Sequence, residues 1–332
     1  HNEQDCIRNK LENLLALDYP CDRMTLWLAS DGSSDRTVEY ARAFEGSRVR
    51  VLDLQRVGKA EALRIAVDQG TADIVAFSDA NSDWEPGALR ELVAPFADPQ
   101  IGGVAGNQRY YGPDDSDGTA GEKSYWRYDS RLKHWQSRAG NTVSATGAIY
   151  AIRRSLFEVP PPDATDDFMI STGVIANGSR LIFAPGAVAW EPAARSGTDE
   201  YRRKVRVITR GLRAIWYRRR LLNPIEYGTY ALLLGTHKLW RRLLFLPAIT
   251  LLATAPFVFG QGALRAAAAG CVIGASALAL AGLTWPNLRR LRPVAICHYA
   301  ALVNLACAVA VANLVLGRRF STWTPERGGG TT

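Results

Sequence analysis

The sequence predicts an α/β fold followed by a helical membrane domain, and three observations carry that reading. Short apolar runs alternate with helical patterns through the front of the chain, the arrangement of a parallel sheet with right-handed crossovers. One run, Ile74-Val75-Ala76-Phe77, is continuous, as in a strand covered on both faces. Long apolar runs occur only after about residue 243.

The elements follow in order. His1-Asn2-Glu3 opens directly into a helical pattern of Ile7, Leu11, Leu14 and Leu15, so a first strand is expected to be missing from this sequence. Thr25 to Ser30 reads as a strand that ends at Asp31-Gly32-Ser33-Ser34-Asp35, with a helix from about Arg36 to Phe44. Val49 to Leu54 is the next strand, and Arg56-Val57-Gly58-Lys59 leads into a helix from about Ala60 to Asp68. The Ile74 strand comes next, then a helix after Pro86 and a strand around Val104. Arg180 to Trp190 reads as two short strands around Pro185-Gly186. A basic helix is expected from about Asp199 to Arg220.

The chain has 332 residues and a net charge of +8, enough for one large domain with a smaller unit. We divide it into a globular domain at 1–222, a helix lying on a membrane surface at 223–240, transmembrane helices at 241–320 and a flexible tail at 321–332. Leu243 to Phe259, Ala263 to Leu283 and Val294 to Leu316 are the candidate crossings. Arg241, Arg242, Arg289, Arg290 and Arg292 predict a multi-pass protein of the cell membrane with its globular domain in the cytoplasm. A third full crossing would put Arg318 and Arg319 outside, so a re-entrant third segment stays open. The apolar runs hold no carboxylate, which argues against an ion-coupled transporter. Cys6, Cys21, Cys271, Cys297 and Cys307 have no metal-ligand spacing and read as thiols of a reducing compartment. The basic charge points to membrane lipids, and no nucleic-acid module accompanies it.

Polar groups recur at one edge of the expected sheet. Ligands of open α/β sheets bind at the carboxyl ends of the strands. Asp79 and Asn81 stand at such an end, where both can face one hard cation, although Asp and Asn also favour plain turns. Asp31 can accept hydrogen bonds from a base or ribose, and Lys59 at a helix start can neutralise phosphate.

Taken in order, His1-Asn2-Glu3, Ser30-Asp31-Gly32-Ser33, Gly58-Lys59-Ala60-Glu61-Ala62-Leu63 and Ser78-Asp79-Ala80-Asn81 resemble the nucleotide-sugar half of family 2 glycosyltransferases with the GT-A fold. The resemblance implies a nucleotide-diphosphate-sugar donor, a UDP-sugar or similar, held by Asn2, Glu3, Asp31, Lys59, Asp79 and Asn81. It also implies a divalent cation, Mg or Mn, on Asp79 and Asn81, with Asn81 standing where a second aspartate is usual. Gly147-Ala148-Ile149-Tyr150-Ala151-Ile152-Arg153-Arg154 resembles the acceptor-side strand, which places Gly147, Arg153 and Arg154 there. Thr165-Asp166-Asp167 resembles the family's Thr-Glu-Asp, so Asp167 is the expected catalytic base and Asp166 its acceptor-side neighbour. Thr165 or Asp166 can cap the helix that follows, leaving Asp167 for chemistry.

Polysaccharide synthases of the family carry Gln-x-x-Arg-Trp. At the matching distance this chain keeps the arginine as Arg206, with Arg203 and Val207 at the flanking positions. The resemblance therefore implies a membrane-bound inverting glycosyltransferase acting on a lipid or glycan acceptor and adding few sugars. A processive polysaccharide synthase and an inactive donor-binding membrane protein are the alternatives.

Overall fold

The computed structural model describes residues 1–111, 117–192, 197–247, 249–250, 254 and 262–319. Two compact units divide the chain: His1–Arg195 with Ala214–Leu234, and Ser196–Arg213 with Gly235–Arg319.

The first unit begins with α1 (Ile7–Leu15), which buries Ile7 and Leu11 one turn apart. These residues form a small core with Ala41 of α2 (Thr37–Arg42) and Val49 of β2 (Val49–Leu54). Leu26 and Leu28 of β1 (Leu26–Asp31) pack against it. β1 and β2 are parallel and pair from Leu26 opposite Val49 to Asp31 opposite Leu54. They form a two-stranded sheet of their own.

The chain continues through α3 (Lys59–Gln69), β3 (Ile74–Phe77), β4 (Asp83–Trp84) and α4 (Ala88–Val93). It then forms β5 (Ile101–Tyr111), α5 (Asp117–Arg138), β6 (Tyr150–Arg153), α6 (Asp166–Ala176) and β7 (Arg180–Pro192). The second sheet has five strands in the order β3-β6-β5-β7-β4.

The expectation of one parallel sheet is corrected here. Among the described residues only β1 with β2 and β5 with β7 pair in parallel; β3 with β6, β6 with β5 and β4 with β7 are antiparallel. Strand and helix alternate as expected as far as β3. Beyond it β6 runs back between β3 and β5, a pairing between distant segments that local patterning does not encode. β3 is the edge strand of its sheet, so Ala76 is exposed and Phe77 alone of the run is buried.

The main core packs Leu89, Leu92 and Phe96 against Val104, Ile149, Ala151, Ala187 and Ala189. β7 forms as one strand, yet its pairing with β5 breaks between Phe183 and Val188, around the Pro185-Gly186 pair singled out above. Gly106 faces that irregularity. A Cβ there would lie 2.7 Å from Ile149 Cγ2 and 2.8 Å from the Ala187 carbonyl oxygen.

The expected surface helix at 223–240 is broken. Pro224–Tyr227 and Thr229–Leu234 are short helices in the first unit, separated by Gly228 at φ 53. Gly235–Trp240 is a π-helical turn in the second unit. α7 (Gly197–Tyr217) corresponds to the expected basic helix.

In the second unit, α8 (Ala263–Thr284) and α9 (Arg292–Val315) meet where Gly282 lies against His298 and Val294. α9, with 24 residues and a mean hydropathy of 2.0, is the one described helix long and apolar enough to cross a membrane. The apolar part of α8, Ala269–Thr284, is shorter. The expected crossing at 243–259 lies largely outside the described residues, and the tail at 321–332 lies outside them entirely.

Gly106→Ala is expected to destabilise the first unit by about 1–3 kcal/mol, because a methyl group must be forced into a filled site. Thermal unfolding of the purified variant measures this, and an unchanged midpoint would contradict the packing described.

Candidate active site

The first unit's site is assembled from the ends of β1 and β3 and the starts of α3 and α6. Asp31 closes β1, and its Oδ1 accepts the backbone N–H groups of Val57 at 2.7 Å and Gly58 at 2.8 Å. The carboxylate thus pins the loop that leads into α3. Gly32 and Gly58 both have positive φ, at 61° and 90°. A Cβ on Gly32 would also meet the Arg56 backbone nitrogen at 2.8 Å.

Asn2 and Glu3 brace the turn after β1. Asn2 Oδ1 accepts the Ser34 N–H at 2.8 Å, and the Asn2 N–H donates to Ser33 Oγ at 3.1 Å. The Glu3 N–H donates to Thr37 Oγ1 at 2.7 Å. His1 and Arg56 lie in contact beside Asp31, with His1 Nδ1 2.9 Å from the Asp31 carbonyl oxygen.

Lys59 is the first residue of α3, and its ammonium bridges two carboxylates. It lies 2.9 Å from Asp79 Oδ1 and 2.9 Å from Asp166 Oδ2. Burial works against the Lys59 charge, but Asp166 and Asp79 outweigh it and hold the ammonium above the usual lysine range. The Asp79 N–H donates to the Gly147 carbonyl oxygen at 3.1 Å. A Cβ on Gly147 would run into the Asp79 carboxylate, which would have to swing aside.

Tyr150, fully buried and stacked on Phe77 at 4.7 Å between ring centroids, lies under this group. Burial raises its phenol pKa well above the usual value, and the charges of Asp166, Asp167 and Asp79 add to the shift. Those three carboxylates therefore share one neighbourhood. The capping pattern differs from the expectation that Thr165 or Asp166 would cap α6. Thr165 occupies the N-cap position without a side-chain cap bond, Asp166 turns to Lys59, and Asp167 Oδ1 accepts the Phe168 N–H at 2.7 Å.

The remaining expected residues are placed differently. Asn81 is exposed on the turn after β3. Arg153 is at the opposite end of β6 from Tyr150 and donates to the carbonyls of Ile101, Phe96 and Asp98. Arg154 Nε donates to the Ala72 carbonyl at 3.0 Å. Both guanidiniums tie strand ends together. Arg206 lies on α7 in the second unit.

One group beside the site gave no sequence signal. Lys10 of α1 is buried, donates to the Ser82 carbonyl and lies 5.3 Å over the Trp84 ring. Glu191 of β7 is also buried, with Oε1 3.0 Å from Ser82 Oγ and Oε2 accepting from Gln108 Nε2 at 2.6 Å. Burial, and after it the Asp79 charge, push the Glu191 carboxyl up to about 7. Burial brings Lys10 down to about 8. A single Lys in an amphipathic helix and a Glu after Trp190 look like ordinary surface residues in sequence.

The first unit thus gathers acidic strand ends around a helix-start lysine. Residues 1–159 match the family described as Glycosyl transferase family 2. Poly-beta-1,6-N-acetyl-D-glucosamine synthase of Staphylococcus aureus (strain MSSA476) is 30% identical over 198 residues, covering 57% of this chain and 47% of that protein. The enzyme of the same name from Staphylococcus epidermidis is 27% identical over the same length. The chain thus spans about half the length of the curated relatives it matches. Among solved structures, the mannosyltransferase PcManGT from Pyrobaculum calidifontis, in complex with GDP-Man and Mn2+, superposes with a TM-score of 0.72. It is 22% identical, and the match covers 96% of this chain and 86% of that one, a likeness of fold.

Gly147→Ala is expected to lower transferase turnover about a hundredfold by displacing Asp79, as small misplacements in active sites do. Steady-state kinetics on the folded variant checks this. Turnover near that of the wild type would separate Gly147 from the site.

Proposed function

We propose that this protein is a membrane-bound inverting glycosyltransferase that moves a sugar from a nucleotide-diphosphate donor to a lipid or glycan acceptor. The observation that carries the reading is the Lys59 bridge, which joins Asp79 at the β3 end to Asp166 at the α6 start. Asp31 and the loop it pins form the nucleoside end of the donor site, with Asn2 and Glu3 bracing it. Lys59 faces the diphosphate.

Asp167 is the base. It removes the proton of the acceptor hydroxyl as that oxygen attacks the anomeric carbon and the nucleoside diphosphate leaves from the opposite face. A helix start favours its ionised form, which a base requires. Inversion in one displacement needs no covalent enzyme intermediate.

A divalent cation fits the residues present. Among the described residues no cluster of three or more His, Cys, Asp or Glu side chains forms a cage. Asp79 and Asn81 instead offer one carboxylate and one amide oxygen at a turn, the sparse oxygen set that suits Mg2+ or Mn2+ shared with substrate phosphates. When bound, the cation supplies positive charge to the leaving diphosphate.

α9, and the apolar part of α8, support attachment to the membrane, with the arginines of 289–292 on the cytoplasmic side. Exposed Ile273, Leu280, Ile296 and Leu305 on these helices suit lipid. A second reading is a processive synthase of an N-acetylglucosamine polymer. The Staphylococcus relatives favour it, and Arg203 and Val207 in the Gln-x-x-Arg-Trp positions favour short additions.

Three measurements test this reading. Purified protein with a panel of nucleotide sugars should release nucleoside diphosphate with one of them, and lose that activity to a chelator until Mg2+ or Mn2+ is restored. Products should carry one or a few added sugars; long polymer would establish the processive reading instead. Asp167→Asn should lower turnover by roughly a hundredfold or more with little change in donor binding, as expected for loss of a general base. Collapse in Asp166→Asn with near-normal Asp167→Asn would move the base by one residue.

A further inference from the structure

We propose that Glu191 is a positioning residue for the donor site: it holds the Asp79–Ser82 turn in place through the Ser82 hydroxyl. The inference rests on the reading of Asp79 as a donor-site residue, and it adds a buried support beneath that residue.

The Ser82 hydroxyl carries the argument. Ser82 is fully buried, and its Oγ lies 3.1 Å from the Asp79 carbonyl oxygen and 3.0 Å from Glu191 Oε1. A hydroxyl has one hydrogen to donate. Beside an ionised Glu191 the hydroxyl donates to the carboxylate, and the Asp79 carbonyl keeps the Ser82 N–H at 3.4 Å. Beside a protonated Glu191 every group is satisfied, since the acid donates to Ser82 Oγ and Ser82 donates to Asp79. Gln108 Nε2 donates to the other carboxyl oxygen at 2.6 Å and also contacts Tyr110 Oη at 2.8 Å, so it anchors the acid from the sheet side.

The strand geometry makes this support rigid. Glu191 pairs with Tyr110 in the β5–β7 ladder, and the preceding Trp190 pairs with Asp83 of β4. The turn that carries Asp79 and Asn81 is therefore gripped on its carboxyl side by β4 and from beneath by the acid. Lys10 grips the same turn at the Ser82 carbonyl. Burial raises the Glu191 carboxyl, and the hydroxyl of Ser82 bonds it in either form.

The test uses the full chain in detergent, with UDP and MnCl2 as the probe. Calorimetric titration reads affinity, and amide hydrogen exchange reads the peptide containing residues 79–82. Glu191→Gln keeps a donor toward Ser82 and an acceptor toward Gln108, so UDP affinity should stay within about threefold of wild type. Ser82→Ala and Glu191→Ala should each weaken UDP binding about tenfold, the scale of one or two buried hydrogen bonds, and speed exchange at the turn. If Glu191→Ala fails to fold, Ser82→Ala and Glu191→Gln decide the matter. Slow exchange at the turn in Ser82→Ala, or Glu191→Gln as impaired as Ser82→Ala, would overturn the proposal. Asp79→Asn separates the two claims: unchanged UDP affinity there removes Asp79 from the donor site, while the exchange result still judges Glu191 as the support of the turn.

Discussion

Two carboxylates from distant parts of the chain, Asp79 and Asp166, meet at one ammonium, each 2.9 Å from Lys59. Like charges so close disfavour joint ionisation unless a cation stands between them. Lys59 is that cation, and its own ionisation is secured by the pair it bridges. Lys59 and Asp79 are each partly exposed, so one such ion pair contributes little to stability. The importance of the contact is geometric. It fixes the start of α3 against the end of β3 and the start of α6, and the loop before α3 is in turn fixed by Asp31.

The support beneath this arrangement is polar and buried, a costly combination unless each group finds a partner. Lys10, Ser82, Gln108 and Glu191 all do. Gly147 serves the same end by having no side chain, since any Cβ would strike the Asp79 carboxylate. A turn held by buried hydrogen bonds, and crossed by backbone at its tip, gives the charged face little freedom to relax. In the proposed reaction that rigidity is useful, because charges fixed beforehand need no reorganisation as the diphosphate leaves.

The meeting of polar groups at one edge was legible in sequence because strand ends in α/β folds converge. Asp31 and Asp79 come within two residues of apolar runs, Lys59 opens the helix after the Val49–Leu54 strand, and Lys59 and Asp79 are in contact. The sheet was legible only as far as β3. The antiparallel insertion of β6 joins segments far apart in sequence, and no local pattern reports it. Arg153 and Arg154 were misleading for a chemical reason: a guanidinium satisfies backbone carbonyls as readily as it binds a substrate, and these two do the former. Glu191 and Lys10 were invisible because burial, not residue type, makes them unusual.

The central claim is that Lys59 couples the donor edge to the α6 start. A double-mutant cycle between Lys59→Met and Asp166→Asn, read as nucleoside-diphosphate affinity, tests it most directly. If one contact serves both residues, the effects are non-additive, with a coupling on the order of 1 kcal/mol or more, as for side chains in direct contact. Effects that simply add, within the few tenths of a kcal/mol usual for independent sites, would mean that the bridge does not hold the two edges together.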